Sequence, residues 1–186
     1  MSDDAGYKSF PPTIAKSILH RSLLKWWEGS RSGADCPHTA RLLDEDLQTL
    51  FTDCMIYDVV AGHDGRQFVS CFQGPSVLRL FGRGVVGTAL PDHVNPRILA
   101  SVLKPYELAL QTRRPVFTVR PTLDSAAVPM TIETLRLPLI GADGRVSKIL
   151  AHYCIISKES SFVRVALQDS GTLSDNTVKA IIAPPP

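Results

Sequence analysis

The chain has 186 residues, of which 44% are hydrophobic, and this composition can supply the core of one folded domain. Its 20 basic and 18 acidic residues leave a formal charge of +2, so the charge balance shows no nucleic-acid or anionic-membrane surface. The N-terminus lacks a signal-peptide pattern, and no apolar run approaches the length of a membrane span. Four widely spaced cysteines without a CxxC pair indicate reduced thiols and a cytoplasmic protein.

An amphipathic helix is the first predicted element. Residues 1–12 are predicted to be disordered, and apolar side chains recur at helical spacing from residue 13 to about residue 31. Two adjacent tryptophans point about 100° apart on a helix, so we expect one to face inward and the other to lie near a dimer contact. The candidates for a homodimer interface are Ile18, Leu23, Trp26 and Trp27.

The middle of the chain combines strands with helices of different lengths. We predict a short helix at 41–51, strands at 55–60 and 67–72, helical fragments from 74 to 95, a longer helix at 96–112 and a third strand at 115–122. The turn that contains His63 and Asp64 is assigned no chemical role. Gly82-Arg83-Gly84 lacks the spacing and the lysine of a phosphate-binding loop.

Residues 131–156 form the most regular pattern, two apolar runs separated by a turn that contains Asp143-Gly144. This pattern predicts a long antiparallel hairpin, in which Glu133 is the only charged member of a leucine row. A two-residue turn would place Leu135 opposite His152, a four-residue loop would place Glu133 there, and a three-residue loop would bring Tyr153 to that face. A carboxylate in this row must find a partner, line a solvated cavity or become protonated.

The pattern weakens after residue 156. Residues 157–186 are predicted to form a partly flexible tail, with a short helix between Ser174 and Ile182. Residues 13–156 are therefore predicted to form a single domain that includes the N-terminal helix.

The order of these elements, two strands, helices and then three strands, resembles that of a PAS domain. Three motifs sharpen the resemblance: Leu24-Lys25-Trp26-Trp27, Phe81-Gly82-Arg83-Gly84-Val85-Val86-Gly87, and Glu133-Thr134-Leu135-Arg136-Leu137-Pro138-Leu139 followed by Asp143-Gly144. Together they resemble a family of short bacterial proteins, mostly alphaproteobacterial, with one PAS domain behind an N-terminal helix. The resemblance implies an α+β fold with a five-stranded antiparallel sheet over a small cavity, and a sensory or regulatory role.

The ligand of such a cavity has to be argued from the residues. The candidates for the cavity wall are Phe68, Tyr106, Glu133, Leu135, Leu137, His152 and Tyr153. The Asn-Cys-Arg-Phe signature of flavin photosensors is absent, and haem would need an axial histidine, for which only His93 and His152 are candidates. Arg83 and Arg136 could hold an acidic ligand through their forked donors. The cofactor therefore stays undefined, and neither haem nor flavin is supported by a motif.

The sequence favours a non-enzymatic sensor: a cytoplasmic homodimer whose cavity accepts a small molecule and which signals to a protein partner, without nucleic-acid or membrane binding. A dimerisation or scaffold module with a filled cavity is the first alternative. The second is a cavity enzyme of the isomerase or hydratase type, with Glu133 as general base and Tyr153 or His152 as the electrophile.

Overall fold

A computed structural model of the protein describes residues 7–15, 17–62, 65–123, 129–157 and 178–183. The α-helices are α1 (Ile18–Gly29), α2 (Glu45–Gln48), α3 (Pro75–Phe81), α4 (Leu90–His93) and α5 (Leu99–Thr112). The strands are β1 (Lys8–Phe10), β2 (Cys54–Gly62), β3 (Gly65–Gln73), β4 (Val116–Leu123), β5 (Pro129–Ile140), β6 (Val146–Ser157) and β7 (Val178–Ile182). Within these ranges, no helix combines the length and the apolar character needed to cross a membrane.

The strands of the described residues form one sheet of seven, in the order β1-β7-β4-β5-β6-β2-β3. Strands β2 to β6 are antiparallel to their neighbours, and α3, α4 and α5 lie between β3 and β4 in the chain. This arrangement confirms the predicted PAS-like α+β fold. The prediction of five strands was too low, since β7 adds to the edge of β4 and β1 pairs with β7 in parallel.

The two additional strands come from segments that the sequence placed outside the domain. Strand β1 lies within residues 1–12, and β7 occupies the end of the helix predicted after Ser174. Non-local pairing explains the difference, because β7 hydrogen-bonds to β4 and buries Ala180 and Ile182 at alternate positions. Residues 158–177 of the predicted tail, and the His63-Asp64 turn, lie outside the described residues.

The central hairpin has the register in which Leu135 lies opposite His152. This is the pairing expected for a two-residue turn, but the strands end at Ile140 and Val146, and the register shifts by one residue between Leu139 and Ile140. A loop longer than two residues therefore joins the strands, and the one-residue shift restores the pairing expected for a two-residue turn. Glu133 consequently lies opposite Cys154.

The two faces of the hairpin meet different helices. Helix α1 covers the face of Glu133 and Leu135, where the Trp27 indole Nε1 donates a hydrogen bond of 2.8 Å to the Pro138 carbonyl. Helix α5 covers the opposite face, where the Tyr106 and Tyr153 hydroxyl oxygens are 3.1 Å apart. The alternation of side chains therefore separates a helix-sealed face from a face that points towards α3, α4 and α5.

Gly74 marks a close backbone approach at the start of α3. Its amide donates to the Cys54 carbonyl, and a Cβ atom at this position would clash with the Phe51 carbonyl oxygen. Gly74→Ala should therefore lower the free energy of unfolding by about 3 kcal/mol, because backbone atoms must move to relieve the clash. Urea denaturation measures the effect. Gly84→Ala is the matched control, since a Cβ atom there would meet nothing within 4 Å, and an equal loss in both variants would contradict this explanation.

Candidate functional site

A cavity of about 60 Å³ lies between the sheet and helices α3, α4 and α5. Strands β2, β4, β5 and β6 supply its floor, and the helical side supplies its roof. The lining residues are Tyr57, Phe81, Leu90, His93, Val94, Asn95, Ile98, Val102, Thr118, Arg120, Ile132, Thr134, Arg136 and Tyr153. The lining thus combines apolar side chains with polar and charged groups that can orient a ligand, as small-molecule sites do.

Arg136 is the most deeply buried charged side chain of the cavity, with 4% of its surface exposed. Its Nη1 donates a 3.0 Å hydrogen bond to the Thr118 hydroxyl, and its guanidinium carbon lies 4.6 Å from the centre of the Tyr106 ring. These contacts orient the guanidinium through a hydrogen bond and a cation–π contact. Its Nε atom has no hydrogen-bond partner in the described part of the protein.

Arg120 brings a second guanidinium to the same cavity. Its Nη2 makes two long contacts, 3.4 Å to the Ser101 carbonyl and 3.5 Å to the Ser101 hydroxyl, and its buried Nε has no partner among the described residues. Burial lowers the pKa of Arg120, and the positive charge of Arg136 lowers it further. The guanidinium remains charged at neutral pH, as arginine does in proteins. The cavity therefore combines two positive charges.

Tyrosine hydroxyls and one histidine complete the polar lining. The Tyr57 hydroxyl lies 3.2 Å from His93 Nε2, and His93 Nδ1 lies 3.0 Å from the Thr88 hydroxyl. Burial, followed by the charge of Arg83, lowers the pKa of His93, which favours a neutral ring. Burial raises the pKa values of Tyr57 and Tyr153 well above 10, so both phenols stay protonated and can donate hydrogen bonds.

The cavity is small, and its histidine is already engaged. A buried water needs about 10–15 Å³ of such space, so the cavity has room for roughly four to six water-sized groups. Larger ligands such as flavin or haem need sites of several hundred cubic ångströms. Both ring nitrogens of His93 have hydrogen-bond neighbours, and His152 points to the other face of the sheet. Neither candidate histidine is thus presented as a free axial ligand.

A separate polar cluster lies beneath α1, formed by His20, Glu133 and His152. His20 Nδ1 is 3.4 Å from Glu133 Oε2, and the two imidazole rings meet edge to face with centroids 4.9 Å apart. His20 is fully buried on the inner side of α1. Its position matches the buried helical row that continues through Leu23, Leu24 and Trp27.

The cluster is short of hydrogen bonds. Neither ring nitrogen of His20 or His152 has a partner with hydrogen-bond geometry in the described structure, so the His20–Glu133 contact is a close approach of polar groups. Burial, and then the neighbouring His20, lowers the pKa of His152 to about 3. Among the described residues, no three His, Cys, Asp or Glu side chains are placed to hold a metal ion. The lowered pKa of His152 therefore makes this residue the acid-sensitive member of the α1 interface.

The structure divides the predicted cavity residues between the two faces. Tyr153 lines the cavity, and Phe68 and Tyr106 pack beside it with their rings 5.4 Å apart. The remaining four lie on the α1 side of the sheet and not in the cavity wall: Glu133, Leu135, Leu137 and His152. The leucine row was expected to border the cavity, but it packs beneath α1, because α1 and α5 cover opposite faces of the hairpin.

Of the two arginines proposed for an acidic ligand, only Arg136 lies at the cavity. Arg83 is exposed and donates to the Asp92 carbonyl instead. Arg120 and Tyr57 were not among the residues predicted for the cavity. The sequence contained a pattern that could have identified Arg120. Thr118 and Arg120 on one predicted strand have the same two-residue spacing as Thr134 and Arg136 on the next.

The four residues predicted for the dimer interface differ in their exposure. Leu23 and Trp27 are buried within the chain, and the Trp26 indole Nε1 donates to Asp44 Oδ2 at 3.2 Å. Ile18, by contrast, is 72% exposed at the start of α1. The expectation that one tryptophan faces inward agrees with these positions, whereas a role of Leu23 and Trp27 in contacting a second copy does not.

No protein-family model matches this sequence, and no curated protein matches it either. Solved structures with a similar backbone include a light-oxygen-voltage domain studied with a flavin analogue, at 17% identity over 62% of this chain and 85% of that one, with a TM-score of 0.46. A Rhodobacter sphaeroides light-oxygen-voltage protein matches at 16% identity over 62% and 68%, with a TM-score of 0.43. VqmA bound to DPO matches at 10% identity over 60% and 57%, with a TM-score of 0.46. This chain thus spans little more than half of VqmA.

Proposed function

We propose that this protein is a non-enzymatic sensory module whose cavity binds a small molecule. The observation that carries the proposal is the charged cavity between the sheet and α5, in which Arg120 and Arg136 share a space with hydrogen-bonding groups. A filled scaffold core would not be expected to leave two arginine Nε atoms buried and unpartnered in the described structure.

The geometry gives no support to the isomerase-type alternative. That reaction would need Glu133 as a base close to Tyr153 or His152 and next to substrate. Glu133 and Tyr153 lie on opposite faces of the sheet, and the Glu133–His152 side is sealed by α1. The Glu133 carboxylate is 4% exposed and does not line the cavity, so we retain the sensory role.

The central hairpin offers a path for a signal. Side chains of β5 and β6 alternate between the cavity and the α1 interface, so a ligand that moves Arg136 or Tyr153 displaces strands that also carry Glu133 and His152. A homodimer formed through the exposed side of α1, around Ile18, would pass that displacement to the second copy and to a protein partner.

Native mass spectrometry of the purified protein, compared with its denatured mass, tests both parts of the proposal. We expect a dimer that carries a noncovalent mass excess. Val102→Trp should abolish the excess, because Val102 lines the cavity and an indole would fill about its whole volume. Ala100→Trp, on the exposed side of the same helix, should retain it.

Three outcomes of this experiment would contradict parts of the proposal. If Val102→Trp keeps the same bound mass as Ala100→Trp, the molecule binds elsewhere and the cavity assignment fails. A protein without any bound or added small molecule in the cavity would favour the scaffold alternative. A monomer at all concentrations would remove the dimer from the proposal while leaving the cavity unaffected.

A further inference from the structure

The charge of the cavity lining is unbalanced. Its two guanidinium groups belong to Arg120 and Arg136, and none of the lining residues that the structure describes is an aspartate or a glutamate. None of the ion pairs formed between described residues includes either arginine. Two like charges held out of water are costly unless an opposite charge compensates them.

The free donors of these arginines point to the shape of the missing partner. Arg136 uses Nη1 on Thr118 and leaves its buried Nε without a partner, and the Nε of Arg120 is likewise free in the described structure. A guanidinium presents its donors as a planar fork, which matches the two oxygens of a carboxylate. The protonated phenols of Tyr57 and Tyr153 also line the cavity, where their hydroxyls contact Met55, His93 and Tyr106.

The remaining lining limits the size and the character of the ligand. Another part of the lining is apolar and includes Leu90, Val102 and Ile132. An inorganic anion would leave these side chains without a contact, whereas a short hydrocarbon body would fill that part. The room for roughly four to six non-hydrogen atoms matches a short-chain organic acid.

We propose that the cavity binds a short-chain carboxylate, held by Arg120 and Arg136 at its carboxylate end and by the apolar wall at its other end. This inference rests on the proposed function, since it names the ligand class of the same cavity. The carboxylate supplies the counter-charge that the described part of the lining lacks.

Propionate and propionamide provide a matched pair of probes, because they have the same number of non-hydrogen atoms and differ in charge. Chemical-shift titration by NMR, at constant ionic strength, should give an affinity for propionate at least about tenfold higher than for propionamide, as expected for charge-assisted hydrogen bonds. Inorganic phosphate should bind more weakly than propionate. Equal affinity for the acid and the amide, or tighter binding of phosphate, would overturn the inference.

Three variants test whether the two cavity arginines bind the carboxylate. Arg136→Met and Arg120→Met should each lower propionate affinity about tenfold or more and leave propionamide affinity nearly unchanged. Arg145→Met removes an exposed arginine near the hairpin turn and should change neither affinity. If Arg136→Met fails to fold, Arg120→Met decides, because Arg120 is less deeply buried than Arg136. Undiminished propionate binding in a folded Arg120→Met protein would contradict the proposal.

Asp124 follows β4 in sequence and lies outside the described residues. Asp124→Asn should leave propionate affinity unchanged, whereas tighter binding would show that the chain supplies its own counter-charge and would overturn the inference. The outcomes also separate the two proposals. Suppose that propionamide or a co-purified neutral molecule binds, and that its binding depends on Val102 but not on the arginines. This result would support the sensory cavity and would contradict the proposal of a carboxylate ligand. Absence of binding by every probe would reject both.

Discussion

Trp27→Ala should lower the free energy of unfolding by about 3–5 kcal/mol, the range for deleting a fully buried aromatic side chain. Trp27 is 1% exposed, and its indole donates to the Pro138 carbonyl across 111 residues of sequence. Removing it would leave a cavity between α1 and β5 and an acceptor without its donor. Urea denaturation followed by circular dichroism is the appropriate measurement, because the change removes a fluorophore.

The neighbouring residue provides the control. Trp26 is half-buried and hydrogen-bonds to Asp44 near the surface, so Trp26→Ala should cost only about 1–2 kcal/mol. Losses of equal size in the two variants would mean that the burial seen for Trp27 does not anchor α1 to the sheet. Trp27→Phe, which keeps most of the volume but not the donor, separates the packing contribution from the hydrogen bond.

Acid should destabilise the protein through His152. The pKa of this buried imidazole is lowered to about 3 in the folded state, below the value of about 6.5 for an unfolded chain. Between these values the unfolded chain binds one proton more than the folded protein, so the free energy of unfolding falls as the pH falls. The loss amounts to about 2 kcal/mol between pH 7 and pH 5. Urea denaturation across this interval measures it.

The His152→Leu variant should lose this part of the pH dependence, because leucine keeps an apolar side chain in the interface and cannot titrate. Its stability at pH 7 can differ from that of the natural protein, so the comparison concerns the slope between pH 7 and pH 5. His38→Gln removes an exposed histidine and should retain the natural slope. An unchanged slope in His152→Leu would contradict the assignment of this acid sensitivity to His152.

The proposed carboxylate site and the acid-sensitive His152 lie on opposite faces of one hairpin. Arg136 and Tyr153 face the cavity, while Glu133 and His152 face α1. A ligand in the cavity and a proton at the α1 interface would therefore act on the same two strands from different sides. Because α1 is also the element with the exposed Ile18, loosening it would alter the surface that we propose for dimerisation.

Much of the fold follows from local sequence. Asp143-Gly144 between two apolar runs indicates a hairpin because turn chemistry and alternation act over neighbouring residues, and β5 and β6 lie where this pattern placed them. The 3.6-residue period likewise predicts α1, although the helix begins at Ile18 after a separate 3-10 turn at Pro12–Ile14. The resemblance to a PAS domain rested on the order of strands and helices together with three sequence motifs.

Tertiary contacts decided the features that matter for the site. Alternation shows that Glu133 and Arg136 lie on different faces of a strand, but it cannot say which face meets the cavity, since that depends on where α1 and α5 pack. His20 has a polar side chain, and its burial becomes evident only when the helix is placed on the sheet. Strand β7 depends on pairing with β4, a strand that lies far from it in the sequence. Short-range patterns specify the helices and strands and the side chains that share a face. Long-range packing decides which face of the sheet borders the cavity and which packs beneath α1.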